Sequence, residues 1–340
     1  MRTVHWEDGS VLLIDQSALP IKLKHVRLTK AGEVASAIKT MVVRGAPAIG
    51  VAAAMGIALA ARTSNAKLMG EFMADLDAAA SLLLSTRPTA VNLSWGVERA
   101  MNAARRARSV PEARRQIVSE VKKMEEQDVE TNRKLGKIGS ALIKDGDTVL
   151  TQCNAGALAT VGYGTALGVV RAAVESGKMV KVMVPETRPA LQGARLTAFE
   201  LERDGIPCTL IPDTAVGYML SLGRADLVVV GADRITRDGY VFNKIGTYQE
   251  AVLANRHGVP FYVAAPSSTF DLELSHQDVS IEQRGFEEVT TIRGRRIAPK
   301  RVPVVNPAFD ETPPELVSGI ITEKGVIRKP SRASISRVIS

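Results

Sequence analysis

The sequence predicts an α/β protein, with a helical N-terminal domain and a Rossmann-like C-terminal domain that has a mainly parallel sheet. From about Gly32 to Glu126, helix-favouring residues dominate and apolar positions recur every three or four residues. At Asp145 the pattern changes to short apolar runs separated by helical stretches, which is typical of a parallel sheet with helices on both faces. The predicted domains are 1–125 and 145–340, joined by a linking helix over 126–144.

The N-terminal domain is predicted to start with a short β element, because Trp6 and the apolar run 11–14 flank the turn signal Asp8-Gly9. Residues 45–61 then form an uncharged run, GAPAIGVAAAMGIALAA. Its 17 residues could barely span a bilayer. Because Ala and Gly dominate rather than Leu and Phe, we predict a buried helix packed closely against its neighbours, with no membrane partner.

The charge balance favours an anionic partner, since 44 Lys and Arg residues outnumber 36 Asp and Glu residues. The densest basic run comprises Arg293, Arg295, Arg296, Lys300 and Arg301. No aromatic residue interleaves with this run, so a surface that stacks nucleic-acid bases is not expected. A phosphorylated metabolite fits better than nucleic acid.

Cysteine usage indicates a reducing compartment. The two cysteines, Cys153 and Cys208, form no C-x-x-C pair and no metal-ligand spacing. The first ten residues lack the charged-then-apolar layout of a signal peptide. We therefore expect a cytoplasmic protein without a disulfide framework and without a bound metal.

The segments that follow the predicted strands are expected to form a ligand site, because ligands bind at the carboxyl ends of parallel strands. The predicted strands are 148–152, 180–184, 208–211, 227–230 and 261–264. They are followed by CNAG at 153–156, PETRP at 185–189, PDT at 212–214, GADR at 231–234 and APSS at 265–268. Neither G-x-G-x-x-G nor a Walker A loop occurs, which favours a small phosphate compound over a nucleotide.

Cys153 and Asp233 are the candidate catalytic residues. Cys153 ends a predicted strand just before an expected helix start, where a thiolate would be favoured, although an inert buried cysteine fits its position equally well. Asp233 follows Gly231-Ala232, which would let a ligand approach. The Asp233 carboxyl could act as an acid or base, bind a hydroxyl, or cap a helix.

Further candidates are cationic or amide residues near predicted helix starts and loops. Arg44 precedes Gly45-Ala46-Pro47 at the start of the apolar helix, where N–H groups and a guanidinium could bind phosphate. Arg87 lies in a similar Arg-Pro loop. Asn243 and Lys244 fall in a predicted loop, and Gln192 falls in a predicted helix. Each of these fits a solvated surface position as well as a ligand contact.

Together, these segments resemble the methylthioribose-1-phosphate isomerase family, whose wider superfamily includes subunits of a translation-initiation exchange factor. The matching stretches are RGAPAIG at 44–50, RPTAVNLSWG at 87–96, TQCNAGALAT at 151–160, ETRPALQGARLTAFEL at 186–201, GADRI at 231–235 and NKIGTY at 243–248. The likeness extends from Trp6 to about Thr322. Gln152 departs from the family pattern, in which His is frequent before the cysteine.

The resemblance implies an aldose–ketose isomerase that converts 5-methylthioribose 1-phosphate to 5-methylthioribulose 1-phosphate in methionine salvage, as a homodimer without a cofactor. It implies catalytic roles for Cys153 and Asp233, and substrate contacts at Arg44, Gly45, Ala46, Arg87, Gln192, Asn243 and Lys244. The alternatives are an isomerase of 5-deoxyribose 1-phosphate or ribose 1,5-bisphosphate, and a non-catalytic regulatory subunit.

The chemistry needs an acid and a base. The phosphate on the anomeric carbon prevents spontaneous ring opening, so an acid must protonate the ring oxygen, which suits Asp233 if burial keeps it protonated. A base must then move a proton from C2 to C1, which suits a Cys153 thiolate. A hydride shift between these carbons, with Cys153 shaping the site, stays open.

Overall fold

The chain forms two compact units in a computed structural model that describes residues 1–88, 90–292 and 294–339. The N-terminal unit comprises Met1–Gly136 and Ala155–Gly168. The C-terminal unit comprises Lys137–Asn154 and the chain from Val169 onward. Each unit has its own core of buried apolar side chains.

This division differs from the predicted boundaries in two places. The expected linking helix over 126–144 is part of one helix that runs from Val110 to Ser140, because no Gly or Pro interrupts the chain between Pro111 and Gly136. The segment 155–168 belongs to the N-terminal unit, although it follows the first strand of the C-terminal sheet. The periodicity of apolar residues shows which segments are helices or strands, but it does not show that 155–168 packs with the N-terminal unit.

The N-terminal unit combines a small antiparallel sheet with five helices. Its elements are β1 (Val4–Glu7), β2 (Ser10–Ile14), β3 (His25–Leu28), α1 (Ala31–Lys39), α2 (Ala46–Thr63), α3 (Met69–Leu84), α4 (Val91–Arg105) and α5 (Val110–Ser140). The strands pair in the order β1-β2-β3, and the predicted Asp8-Gly9 turn joins the first two. A 3₁₀ turn at Ala157–Ala159 lies in the segment 155–168, which also belongs to this unit.

Helix α2 is the predicted buried helix. It is long and apolar enough to cross a membrane by length and composition, but 89% of its apolar window is buried inside the protein. Gly50 of α2 and Gly96 of α4 allow the two helix backbones to touch. The Ala- and Gly-rich composition therefore serves close packing of helices.

The C-terminal unit is built on a seven-stranded sheet, which confirms the predicted α/β class. Its strands are β4 (Thr148–Leu150), β5 (Lys181–Pro185), β6 (Cys208–Ile211), β7 (Leu227–Val230), β10 (Phe261–Ala264), β15 (Gly319–Thr322) and β16 (Gly325–Arg328), in the order β16-β15-β10-β7-β4-β5-β6. All neighbours are parallel except β15 and β16. The five predicted strands are therefore adjacent, with their carboxyl ends at one edge.

Additional strands form two smaller sheets that the sequence pattern did not predict. A four-stranded sheet has the order β11-β8-β9-β14, and β12 pairs with β13. These strands are β8 (Arg234–Thr236), β9 (Val241–Lys244), β11 (Phe270–Asp271), β12 (Thr291–Ile292), β13 (Arg295–Arg296) and β14 (Phe309–Thr312). Arg293 of the predicted basic run lies outside the described residues.

Helices connect the strands of the C-terminal unit. They are α6 (Ala166–Glu175), α7 (Ala198–Arg203), α8 (Val216–Ser221), α9 (Thr247–Arg256), α10 (Glu287–Thr290) and α11 (Arg332–Ile339). A π-helical turn at Gly193–Thr197 leads directly into α7.

Candidate active site

Cys153 lies three residues after the end of β4 and is buried. Its φ of 58° places it in the left-handed region. Its backbone N–H donates to Thr187 Oγ1 at 3.0 Å, and its carbonyl accepts from Thr197 Oγ1 at 2.6 Å. The backbone N–H and carbonyl of Cys153 are thus both held by buried threonine hydroxyls.

The helix expected directly after Cys153 is absent at that position. A 3₁₀ turn at Ala157–Ala159 comes first, and α6 begins only at Ala166. The predicted helix N-terminus beside the thiol is therefore wrong. The Gly-rich stretch between Gly156 and Gly164 prevents an early helix, since both residues form an isolated antiparallel bridge instead.

Asp233 occupies the bend between β7 and β8, so a strand and not a helix follows it. The helix-capping alternative is thereby removed. Its N–H donates to Phe242 O at 2.9 Å, which places Asp233 opposite Asn243 in the antiparallel ladder that starts with Arg234 and Phe242. Asp233 is half-buried, which is less burial than the apolar strand before it led us to expect.

Asn243 and Lys244 lie in β9, so the predicted loop is wrong. The antiparallel pairing of β9 with β8 and β14 fixes both residues. Asn243 is buried and donates from Nδ2 to Thr247 Oγ1 at 2.9 Å. Lys244 Nζ donates to Ala308 O at 2.8 Å and lies 4.8 Å from the centre of the Phe309 ring. The pairing therefore places Asn243 opposite Asp233, whereas the neighbouring Lys244 contacts Ala308 and Phe309.

Gln192 is buried, in contrast to the surface position that its helical pattern allowed. It directly precedes the π-helical turn Gly193–Thr197. Its Oε1 has no hydrogen-bond partner among the described residues. An unsatisfied buried acceptor costs about 1–3 kcal/mol, so a ligand hydroxyl that donates to Gln192 would relieve a penalty in the folded protein.

In the N-terminal unit, Arg44, Gly45 and Ala46 mark the start of helix α2. Gly45 is the N-cap with a φ of 96°, and a Cβ there would lie 2.4 Å from the Cα and O of Ala159. Arg44 is buried, and its Nε donates to Gln16 Oε1 at 3.2 Å. The free N–H groups of a helix start beside a buried guanidinium suit an anion.

Gln16 is a site residue that sequence reasoning missed. It is buried, and its Nε2 donates to Leu158 O at 2.8 Å while its Oε1 accepts from Arg44. It orients the guanidinium that the motif identified. A single Gln after a predicted strand does not indicate that its side chain contacts Arg44. Arg87 lies half-buried in the connection between α3 and α4, and Thr89 of that motif lies outside the described residues.

A cavity of about 360 Å³ in the C-terminal unit lies beside the segments that follow the strands, and several of its lining side chains are acidic. It is lined by Gln152, Arg188, Asp213, Val216, Ile245, Gly246, Tyr248, Gln249, Glu250 and Asp310. Burial raises the pKa of Glu250 well above its usual value, and Asp213 and Asp310 raise it further. Burial raises the pKa of Asp310 to about 6, although the N–H groups of Gly246 and Tyr248 lower it. The lining therefore combines three carboxyl groups with the guanidinium of Arg188.

Hydrogen bonds join three of the predicted strand ends within the C-terminal unit. Thr187, after β5, links Cys153, after β4, to Asp213, after β6, because its N–H donates to Asp213 Oδ1 at 2.7 Å. Ser267, after β10, instead bonds to Glu323. Among the described residues, no group of three His, Cys, Asp or Glu side chains is arranged to hold a metal ion.

Residues 42–329 match the Initiation factor 2 subunit family. The chain belongs to this family. Within it, a protein of Archaeoglobus fulgidus named putative methylthioribose-1-phosphate isomerase is 53% identical over 339 residues, which cover 100% of this chain and 99% of the relative. The methylthioribose-1-phosphate isomerase of Geotalea uraniireducens is 52% identical, with 99% of both chains covered. The family resemblance inferred from the motifs is confirmed.

Solved structures agree with this assignment. The 5-methylthioribose 1-phosphate isomerase of Pyrococcus horikoshii OT3 superimposes with a TM-score of 0.92 at 46% identity, covering 99% of this chain and 95% of that one. A structure described as translation initiation factor eIF-2B, subunit delta, from A. fulgidus gives a TM-score of 0.89 at 53% identity, with 100% and 99% covered. The fold is thus shared by proteins named as enzymes and as initiation-factor subunits.

Proposed function

We propose that this protein is an aldose–ketose isomerase that converts 5-methylthioribose 1-phosphate to 5-methylthioribulose 1-phosphate. The observation that carries the proposal is identity of 50% or more over nearly the whole chain to relatives named for this activity. Cys153 and Asp233 supply the thiol and the carboxyl that the reaction needs, each in the segment that follows one of the adjacent strands β4 and β7.

The proposed reaction starts at the ring oxygen. Asp233 donates a proton there, and the bond between C1 and the ring oxygen breaks. Cys153 then takes the proton from C2, which leaves an enol between C1 and C2, and a proton returns from Cys153 to C1. The C2 hydroxyl gives its proton to the Asp233 carboxylate and becomes the ketone. In a hydride shift, the C2 hydrogen would move directly to C1 with its electron pair, and Cys153 would shape the site.

The substrate contacts are proposed from the residue types. Arg44 and Arg87, together with the N–H groups at Gly45 and Ala46, supply phosphate-binding groups in the N-terminal unit, and Lys244 supplies a cation in the C-terminal unit. Gln192 and Asn243 bind sugar hydroxyl groups through their amides. These contacts would fix the orientation of the substrate relative to the catalytic groups, and such positioning lowers the barrier of the reaction.

Two conservative variants test the residue roles. Cys153→Ser and Asp233→Asn should each lower kcat by about 10²–10⁴-fold, because each removes one positioned acid or base. Circular dichroism should show the same folded state for both variants and the wild-type protein. Turnover of methylthioribose 1-phosphate at the wild-type rate by both variants would overturn the assignment. Deuterium at C2 distinguishes the routes, since only proton transfer lets the label exchange with water.

Other functions of the superfamily are compared in the same assay. A preference for 5-deoxyribose 1-phosphate or ribose 1,5-bisphosphate in kcat/KM would replace the proposed substrate. A regulatory subunit is the second candidate, because one similar structure is described as an initiation-factor subunit at 53% identity. Stable association with a larger complex, without turnover of any of the three sugar phosphates, would favour it.

We further propose that the protein is a homodimer. Exposed apolar side chains lie on the edge strand β6 and the adjoining helices α8 and α9: Leu210, Tyr218, Leu222, Tyr248 and Val252. Helices α8 and α9 pack together, as Gly217 lies against Leu253. An apolar surface of this kind is typical of an interface between protein chains.

Sedimentation velocity tests the dimer. Tyr218→Glu should shift the population towards monomer, because it places a charge in the apolar surface. Ile21→Glu changes an exposed apolar residue of the N-terminal unit and should leave the oligomeric state unchanged. A monomeric wild-type protein, or a Tyr218→Glu dimer as tight as wild type, would contradict the proposal.

The cellular setting is also a proposal. We propose a cytoplasmic enzyme that needs no cofactor and has neither a nucleic-acid nor a membrane partner. The absence of a disulfide between the two cysteines and the burial of α2 support it. Cell fractionation would test the location, and turnover after dialysis against a chelator would test the cofactor. Activity restored only by an added metal or cofactor would contradict it.

A further inference from the structure

Two residues that meet at the candidate active site have unusual backbone conformations. Cys153 has a φ of 58° and Thr187 a φ of 62°. The left-handed region is costly for residues with a Cβ, and for a β-branched residue such as Thr it is a genuine outlier. Such strain persists only where the surroundings hold the backbone firmly, and it tends to concentrate at functional sites.

Thr187 is held by a buried network on one side of Cys153. The two oxygens of Asp213 accept the N–H groups of Thr187 at 2.7 Å and Arg188 at 2.6 Å. The Thr187 hydroxyl accepts the N–H of Cys153 at 3.0 Å, and its own proton is shared between Gln152 Oε1 at 3.1 Å and Pro185 O at 3.2 Å. Thr187 is fully buried, so water cannot replace the bonds of its hydroxyl.

Thr197 is held by a second network on the other side. Its hydroxyl donates to the carbonyl of Cys153 at 2.6 Å and accepts from Asn154 Nδ2 at 3.2 Å. Asn154 also donates to Glu200 Oε1 at 2.9 Å. Glu200 in turn pairs with Arg171 at 2.7 Å. The direction of the Thr197 hydroxyl is therefore set by a fully buried carboxylate and its guanidinium partner.

We infer that Thr187 and Thr197 are positioning residues that hold Cys153 in its left-handed conformation, so that the thiol points at the substrate. Side chains alternate between the faces of an extended strand, so relaxation of Cys153 to an extended conformation would redirect its thiol. A misplacement of about 1 Å can cost about 10²-fold in rate. This inference rests on the proposed function, because it assigns the purpose of the arrangement to the Cys153 thiol.

Isosteric substitutions test the inference. Thr187→Val and Thr197→Val keep the shape and the β-branch but remove the hydroxyl, so each should lower kcat by about 10–10²-fold with KM changed by less than about 3-fold. Thr187→Ser and Thr197→Ser keep the hydroxyl and should restore most of the wild-type kcat. Thr312→Val is the matched control, because Thr312 is fully buried in the same unit and its hydroxyl has no partner among the described residues. It should retain the wild-type kcat.

A second measurement follows the thiol itself. In a Cys208→Ser background only Cys153 can be alkylated, so the rate of its reaction with iodoacetamide against pH reports its surroundings. The Val variants should change this profile, whereas the Ser variants and Thr312→Val should match wild type. A wild-type protein that turns over no sugar phosphate would end the proposed function, but the alkylation profile would still test whether the threonines hold the thiol.

Two results would overturn the inference. The first is a wild-type kcat and alkylation profile in both Val variants. The second is a loss in the Ser variants that equals the loss in the Val variants, since shape and not the hydroxyl would then matter. Circular dichroism identifies a variant that does not fold. If Thr187→Val is such a variant, the Thr197 pair decides, because its threonine has an ordinary helical conformation with a φ of −68°.

Discussion

Helices of the N-terminal unit come together through glycine, whereas strand ends of the C-terminal unit are held by hydroxyl and carboxyl groups. A Cβ on Gly96 of α4 would lie 2.1 Å from Gly50 O of α2, so backbone touches backbone there. Around Cys153, the contacts are instead hydrogen bonds from Thr187 and Thr197. The first region is therefore sensitive to an added methyl group, and the second to a removed polar atom.

The two units also treat a buried carboxyl differently. Asp128 of α5 accepts the N–H of Val161 at 2.8 Å. Glu250 of α9 makes no side-chain hydrogen bond with the described residues, and its Oε2 is buried. Both carboxyl groups have a raised pKa, chiefly because of burial. The comparison predicts that ionisation is more costly at the unpartnered Glu250.

The largest effect is expected from Gly96→Ala. The added methyl group must displace the α2 backbone, which should lower the free energy of unfolding of the N-terminal unit by ~3 kcal/mol or more. Both tryptophans, Trp6 and Trp95, lie in this unit, so tryptophan fluorescence during urea unfolding reports on it.

Gly70→Ala is the matched control for this substitution, because nothing lies within 4 Å of a Cβ at Gly70 in α3. Alanine favours a helix, so stability should be unchanged or raised by less than ~1 kcal/mol. Equal stability of Gly96→Ala and wild type would show that α2 and α4 do not touch through their backbones.

The next effect is expected from Glu250→Gln. The folded-state pKa of Glu250 lies well above the usual 4.5, so the folded protein holds a proton that the unfolded chain releases. Stability from this group is full below about pH 4.5 and falls as pH rises towards the folded-state pKa. Glutamine removes this loss and should raise the free energy of unfolding at pH 8 by ~1–3 kcal/mol.

Urea unfolding followed by far-UV circular dichroism at pH 5 and pH 8 measures the Glu250 effect. The gain from Glu250→Gln should be larger at pH 8 than at pH 5. Exposed Glu202 of α7 provides the control, and Glu202→Gln should leave stability unchanged at both values. A loss of stability at pH 8 in Glu250→Gln would mean that the charged carboxyl has a favourable partner.

The fold was predictable where sequence patterns act locally. Strands β6, β7 and β10 have the predicted ends, because turn residues such as Gly205-Ile206-Pro207 and Gly258-Val259-Pro260 bound their apolar runs. Strand β9 was missed because its last residues, Asn243 and Lys244, are polar. One of its two partner strands, β14, is also distant in the sequence, so local patterns do not show the pairing.

The candidate site was predictable only in part. The rule on strand ends and the motifs led to Cys153 and Asp233. Neither the rule nor the motifs gave a reason to select Thr187 among the residues after β5. The hydrogen bonds of Thr187 to Cys153 and Asp213 depend on its positive φ and on the turn at Asp213. Glu250 reads as an ordinary helical glutamate, because burial of one face of a helix depends on tertiary packing that the sequence does not show.

The smallest effect is expected from Asp128→Asn, which sharpens the comparison of the two carboxyl groups. Burial raises the pKa of Asp128 from 3.8 to about 7, although the N–H of Val161 lowers it. The stability from its proton is therefore full below about pH 3.8 and lost as pH rises through 7. Because asparagine stays neutral and its carbonyl can still accept from Val161, the variant should be ~1–2 kcal/mol more stable than wild type at pH 8.

The Asp128 gain should be smaller than that of Glu250→Gln, because the Asp128 carboxylate accepts a hydrogen bond from the N–H of Val161 and Glu250 has no such donor. Tryptophan fluorescence during urea unfolding at pH 5 and pH 8 measures it. Glu130→Gln, on the exposed side of the same helix, should show no pH-dependent difference from wild type. If Asp128→Asn instead gains more than Glu250→Gln at pH 8, hydrogen bonds such as that from Val161 offset little of the cost of ionising Asp128.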